Sequence, residues 1–462
     1  MAGRSAGGIR SAVLARTSRC LDWCGLALAC AGVLCLVAAG VAPATPAAAA
    51  ASSAPATATA PRSSPARPRV LMLGIDAADV EVVTPLLEAG LLPNLKRLVD
   101  AGTMQVLHSH PPTRSPAVWT TIATGVRKET HGIYDYVTNT YYWPEELRTK
   151  EKLLTTVDMR KVPAIWNIVG DRGLTSVVVG WLSTWPAEEI KGALVAPYIH
   201  IGNTRQTTIK GSIYKTDAPE QTHDPKLFAR LKPLLRDPDA YGLEERKRYY
   251  DELPAESSVY EKIPILKRYN YTASWSAARM YNVTAATLAL SRELDPDLVM
   301  VYYQCPDSFG HRFWHFRLPE PELRQRLELL GVDPDLAPEL KQRYGHAIDN
   351  CYQDIDTTTG ELLQALGPGF SVMVMSDHGF GACQFERVNK NVPFDGGHRT
   401  EGLVILSGPA FKRGAELRQP VVEDLAPTAL SVLGVPRPEF MEGRILEEAL
   451  AGRPKGHRAT SR

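Results

Sequence analysis

The sequence predicts an α/β fold in which helices surround a central, mostly parallel sheet, with a cap inserted beside its active end. Two observations carry this reading. From Arg69 onward, short runs of Val, Ile, Leu and Met alternate with longer stretches of helical spacing, the pattern of parallel strands joined by crossover helices. In addition, residues able to bind metal recur where the predicted strands give way to loops or helices, which is where an open parallel sheet gathers its ligands.

The expected strands lie near 69–75, 175–181, 298–303, 371–376 and 403–406. The first crossover holds Pro85, Leu86 and Leu87, then Leu91 through Val99, with Gly102 as its stop. A long helix is expected over 337–366, where Tyr344, Ile348, Cys351, Ile355 and Leu362 recur at helical spacing, and another over 425–433, halted by Gly434 and Pro436. The stretch from Tyr136 to Tyr281 is less regular and contributes one core strand. Within it, 199–264 shows no alternation of strand and helix and is read as an insertion capping the active site.

The first 68 residues are of another kind. Arg4, Arg10, Arg16 and Arg19 precede an apolar stretch over 23–42, followed by a tract of Ala, Pro, Ser and Thr with Ala-x-Ala sites, which is the tripartite pattern of a secretory signal. At about 20 residues the stretch is also long enough to anchor the chain in a membrane if left uncleaved. The expected organisation is a signal peptide or signal anchor over 1–50, a low-complexity linker over 51–68, a catalytic domain over 69–452 and a tail over 453–462, with the protein exported from the cytoplasm.

A formal net charge of +1, without a Lys/Arg-rich run in the body, argues against nucleic acid as a bulk partner. Of seven cysteines, Cys20, Cys24, Cys30 and Cys35 fall in the leader. Cys305, Cys351 and Cys383 remain, enough for one bridge and too few for a disulfide framework.

Asp76 ends the apolar run that starts at Arg69. Ser115, followed by Pro116, reads as a helix N-cap with its hydroxyl beside unsatisfied N–H groups and the positive end of the helix dipole. Asp307 and His311 follow the strand over 298–303 and, four residues apart, share one face if the chain turns helical there. Asp377 and His378 follow the fourth strand, and His398 stands before the fifth. Mixed carboxylate and imidazole suit zinc better than magnesium, and two metals about 4 Å apart stabilise both the attacking and the leaving oxygen of a displacement at phosphorus. His131, in the loop after the Ser115 helix, reads as a structural hydrogen-bonding residue rather than a ligand.

Together these residues resemble the type I phosphodiesterase and nucleotide pyrophosphatase family of the alkaline phosphatase superfamily. The resemblance is carried by Gly74-Ile75-Asp76, Pro112-Thr113-Arg114-Ser115-Pro116, Thr124-Gly125, His131-Gly132-Ile133, Pro306-Asp307-Ser308-Phe309-Gly310-His311, Ser376-Asp377-His378-Gly379, Gly397-His398-Arg399 and Asp424-Leu425-Ala426-Pro427-Thr428. It implies an alkaline-phosphatase-like sandwich and a phosphoric ester hydrolase acting on a small-molecule substrate. It also implies two divalent ions, zinc by ligand chemistry: one held by Asp76, Ser115, Asp377 and His378, the other by Asp307, His311 and His398, with Ser115 as nucleophile. The animal nucleotide pyrophosphatases usually have a threonine nucleophile and an asparagine shortly after His-Gly-Ile, where this chain has Tyr136, with Asn139 three residues later. Nucleotide selectivity is therefore not carried over with the hydrolytic core.

A phosphomonoesterase on the same metals is the main alternative. Sulfatase maturation needs Pro two residues and Arg four residues after the Cys or Ser, whereas Ser115 has Pro116 next and Trp119 at the fourth place. A secreted binding protein with a vestigial site would be expected to have lost ligands, and none of the set is missing here.

Overall fold

The structure, a computed structural model, describes residues 67–151, 153–197, 207–209, 212–214, 220–382 and 393–452. The leader, nearly all of the linker, the tail and part of the 199–264 insertion lie outside the described residues.

The strands are β1 (Arg69–Ile75), β2 (Thr103–His108), β3 (Ser176–Val179), β4 (Gly192–Val195), a hairpin of β5 (Thr207–Ile209) and β6 (Ser212–Tyr214), β7 (Leu298–Tyr303), β8 (Phe370–Met375), β9 (Gly379–Gly381), β10 (Gly397–Arg399) and β11 (Glu401–Ser407). Seven form the main sheet in the order β2-β11-β8-β1-β7-β3-β4. β1 pairs in parallel with β7 and β8, and β3 in parallel with β7 and β4, while β11 runs antiparallel to β8 and β2. A strand buried on both faces has no polar side, so β7 and β8 are continuous apolar runs rather than alternating ones.

Alternation reappears as a choice between two cores. Leu71, Leu73 and Ile75 of β1 join Val299, Val301 and Tyr303 of β7 in one, beneath helices Val80–Glu88, Ile265–Leu294, Cys305–Arg317 and Ala347–Leu366. Val70 and Met72 join Met300 and Tyr302 in the other, beneath helices Ser115–Thr124, Ile165–Asp171 and Leu425–Val432. The result is the expected sandwich of helix, sheet and helix.

Several expectations need correction. The strand expected over 175–181 stops at Val179, because Gly180 adopts φ +73°, a conformation that ends a strand. The helix expected over 337–366 is two helices, Ala337–Tyr344 and Ala347–Leu366. They break at Gly345, where a Cβ would stand 2.5 Å from Lys341 O and 3.2 Å from Phe316 O, so only glycine allows this approach to the end of the Cys305–Arg317 helix. The stretch read as irregular with a single strand also holds β4 and the start of the 30-residue helix Ile265–Leu294. That helix buries Ala273, Ala277, Ala278 and Ala286, and small side chains give little periodic signal. Cys305 and Cys351 form a bridge, for which the sequence left room without choosing the pair, and it joins the Cys305–Arg317 and Ala347–Leu366 helices.

Gly74 lies in β1 where the Trp119 indole crosses it, and a Cβ there would come within 2.6 Å of the ring. Gly74→Ala should therefore cost about 1–3 kcal/mol through overpacking, read as an earlier midpoint in chemical denaturation at unchanged slope.

Candidate active site

The predicted ligands gather at one end of the sheet: all but His398 follow the carboxyl end of a strand, and His398 precedes the amino end of the antiparallel β11. Asp76 is the first residue after β1, with its amide bonded to Tyr303 O at 2.8 Å. Asp307 and His311 occupy the first turns of the helix that follows β7, and Asp377 and His378 occupy the turn between β8 and β9. His398 is the middle residue of β10, paired across an antiparallel ribbon with Phe380 of β9. Asp79 fastens this ribbon to the sheet: its Oδ1 caps the Val80–Glu88 helix and its Oδ2 accepts from Phe380 N at 3.0 Å.

The structure brings all seven predicted residues together. His378 Nε2 lies 3.4 Å from Asp76 Oδ1, 3.4 Å from Asp377 Oδ2 and 3.5 Å from Ser115 Oγ. His311 Nε2 lies 3.1 Å from Asp307 Oδ1 and 3.0 Å from His398 Nε2, which is 3.4 Å from the same Asp307 oxygen. The His378 and His398 rings stack at 3.8 Å and join the two halves. One set of mutually close ligand atoms comes from Asp76, Asp377 and His378, and another from Asp307, His378 and His398. His378 therefore stands between the sets and is not confined to the first.

In Asp76, Asp377 and the three imidazoles one atom is already taken, and the other is turned toward the cluster. Tyr302 donates to Asp76 Oδ2, leaving Oδ1 without a donor among the described residues. Ala77 N donates to Asp377 Oδ1 at 3.3 Å, leaving Oδ2 likewise. The imidazoles follow the same rule. Nδ1 of His311 faces Asp395 Oδ1 at 2.7 Å, that of His378 faces Gly379 O at 3.0 Å and that of His398 faces Thr113 O at 2.9 Å. Those oxygens can only accept, so each Nδ1 carries a proton and each Nε2 is turned inward, the orientation that metal-ligating histidines share. Orphaned buried carboxylate oxygens beside oriented imidazoles fit a metal centre by their own chemistry.

The electrostatics without metal point the same way. Burial, and then the charges of Asp377 and Asp307, hold Asp76 well above the usual carboxylate range, and burial pushes Asp377 up to about 7. Burial would raise Asp307 too, but His311 and His398 outweigh it and hold it well below. Burial opposes protonation of His311, yet Asp307 and Asp395 overcome this and raise it to about 10. Burial and neighbouring His398 keep His378 neutral. Asp76 and Asp377 are thus a buried carboxylate pair whose ionised forms a bound cation would favour.

Ser115 corrects one expectation. The first intrahelical carbonyl is that of Arg114, which accepts from Ala117 N and Val118 N, so Arg114 is the N-cap and Ser115 is already helical. The Ser115 hydroxyl makes no capping bond and faces His378 instead. His131 lies outside the cluster, with Nδ1 accepting from Ile133 N, Nε2 3.0 Å from Thr121 Oγ1, and burial lowering its pKa to about 3. Tyr302 and Asp395 were not anticipated. Asp395 could have been, since a carboxylate three residues before His398 shares its loop, whereas Tyr302 sits inside an apolar strand that masks its role.

The sequence profile of the type I phosphodiesterase / nucleotide pyrophosphatase family matches residues 70–427. Among curated proteins, the chain is 26% identical over 213 residues to a 2,3-bisphosphoglycerate-independent phosphoglycerate mutase of Cyanothece sp., covering 43% of this chain and 32% of that one. It is 34% identical over 104 residues to the enzyme of that name from Cereibacter sphaeroides, covering 21% and 19%. The chain thus spans about a third or less of the length of the curated relatives it matches. Similar solved structures include phosphonoacetate hydrolase from Sinorhizobium meliloti 1021 (TM-score 0.37, 20% identity, 68% of this chain and 57% of that one). A 2-O GAG sulfatase is another (TM-score 0.47, 12% identity, 82% and 73%). With the profile spanning most of its length and the ligand pattern assembled at the strand ends, this chain belongs to the metal-dependent type I phosphodiesterase / nucleotide pyrophosphatase family.

Proposed function

We propose that the protein is a two-metal phosphodiesterase that hydrolyses small-molecule phosphate esters through a covalent intermediate on Ser115. The observation that carries this reading is the Ser115 hydroxyl, free of capping duty, 3.5 Å from His378 Nε2, the atom that also faces the unpartnered oxygens of Asp76 and Asp377. Asp76, Asp377 and His378 would hold one ion with Ser115, and Asp307, His311 and His398 the other. Three imidazoles among the donors favour zinc over magnesium. When bound, such ions favour the ionised forms of the serine hydroxyl and of water and neutralise charge on the phosphoryl oxygens.

The chain's own residues supply the rest. In the first step the Ser115 Oγ–phosphorus bond forms and the bond from phosphorus to one ester oxygen breaks, so that alcohol leaves with a proton. In the second, water attacks phosphorus and Ser115 leaves. Placement of Ser115 in the first turn of its helix sets the developing negative charge against the positive end of the helix dipole. A crevice opens at Pro116, lined by Tyr136, Leu154, Leu182, Trp185 and Pro197 with Thr155 and Ser183, and none of these residues is charged. Membership of the type I phosphodiesterase family favours a diester over a monoester. The leader pattern, together with a Cys305–Cys351 bridge, supports action outside the cytoplasm.

Ser115→Ala should lower turnover on bis-p-nitrophenyl phosphate by on the order of a thousandfold or more while metal content stays unchanged; near-normal turnover would remove Ser115 from the mechanism. Faster wild-type hydrolysis of p-nitrophenyl phosphate than of the diester would replace the diesterase reading with a monoesterase.

Metal uptake should also move protons. Asp377, raised to about 7, is protonated at pH 6 and ionised at pH 8.5 in the metal-free protein, so uptake should release about one proton more at the lower pH. Calorimetry in buffers of different ionisation enthalpy reads this directly, and equal release at both pH values would contradict it. Fusion of residues 1–60 to a reporter active only outside the cytoplasm tests export, with a stable but silent fusion as the contrary result.

A further inference from the structure

Tyr302 is the penultimate residue of β7 and is wholly buried. Its hydroxyl donates to Asp76 Oδ2 and so fixes Oδ1 as the free oxygen. Trp119 meets the phenol edge-on, with ring centres 5.1 Å apart. Over the ring, 5.3 Å from its centre, lies the guanidinium of Arg279.

Arg279 reaches this place from the middle of the Ile265–Leu294 helix and bonds through Nη1 to the Gln304 side chain. Its Nε and Nη2 are buried with no hydrogen-bond partner among the described residues. A guanidinium with two unmet donors is expensive to bury, and the aromatic face is the compensation this one receives. Filling space would not require a cation, since the stem alone packs as well.

We propose that Tyr302 and Arg279 are positioning residues for the ion at Asp76, Asp377 and His378. The cation over the ring draws electron density from the phenol and makes its hydroxyl a stronger donor. That donor holds the Asp76 carboxylate in the single orientation that presents Oδ1. The equivalent bond on Asp377 comes from the backbone N–H of Ala77 at 3.3 Å, a long contact, so Asp76 carries the firmer fastening of this half. The other half is fastened from a different segment, by Asp395 on His311 at 2.7 Å. This inference rests on the two-ion reading above and extends it to a helix that contributes no ligand.

The two fastenings can be set against each other. Wild type and the variants Tyr302→Phe, Arg279→Met, Arg279→Lys and Asp395→Asn are equilibrated in zinc buffered by a competing chelator, and bound equivalents are counted by elemental analysis. Tyr302→Phe keeps the ring against Trp119 and removes only the hydroxyl, so the metal-free protein should stay folded with a modestly lower melting temperature while one equivalent weakens about 10- to 100-fold. Arg279→Met should weaken the same equivalent by a smaller factor, and Arg279→Lys should restore part of the loss. Asp395→Asn should weaken the other equivalent, and the Tyr302→Phe/Asp395→Asn double variant should lose both at a zinc level where each single variant loses one. Wild-type zinc affinity in Tyr302→Phe, or weakening of both equivalents by one factor, would overturn the fastening while leaving the two-ion reading standing. A wild-type protein that takes up no zinc, manganese or iron would overturn the two-ion reading and the fastening with it.

Discussion

The active end of this protein depends on the burial of Asp76, Asp307 and Asp377 with the His378 imidazole, beside the half-buried His311 and His398. Ionised carboxylates are costly there unless each meets positive charge, and a fold of ordinary stability cannot absorb several unmet ones. Asp307 has His311 and His398 for this purpose. Among the described residues, Asp76 and Asp377 have His378 beside them, which burial keeps neutral. The imbalance is local and has a definite sign, and divalent cations are the partners whose charge and geometry correct it.

Rigidity comes from the same arrangement. Parallel strands end in register, so the residues just beyond them reach the cavity from fixed points, and the backbone around them is cross-tied by Asp76 N to Tyr303 O, Ala77 N to Asp377 and Phe380 N to Asp79. Cys305 ties the first turn of the Asp307 helix to the neighbouring Ala347–Leu366 helix. Ligand positions are thereby set by main chain and by a covalent link more than by side-chain packing.

Much of this could be read in the sequence, for identifiable reasons. β1 and β7 were legible to the residue because a strand buried on both faces is an unbroken apolar run, and the ligands were legible because they follow such runs directly. The helix Ile265–Leu294 was not, because its buried face is built from alanine and polar-tipped tyrosine, and the break at Gly345 was not, because it is imposed by the close approach of another helix. At the site, ligands announce themselves as Asp and His, whereas their fasteners do not. Thr113 and Gly379 act through carbonyls that any residue would possess, and Tyr302 looks like one more member of an apolar strand. The helix start at Ser115 was misplaced by one position because Ser-Pro suits two adjacent registers at an N-terminus, and only the bonds to Arg114 O decide between them.

The short ribbon of β9 and β10 sets His398 opposite Phe380, two residues beyond His378. It closes the base of the chain segment that runs from one ligand-bearing turn to the next, so the spacing of His378 and His398 is a property of three ladder rows and not of what is strung between them. Loop closure at such a base grows costly only slowly with length. A change in the length of the intervening sequence therefore costs the spacing of the two histidines little so long as these three rows stay paired.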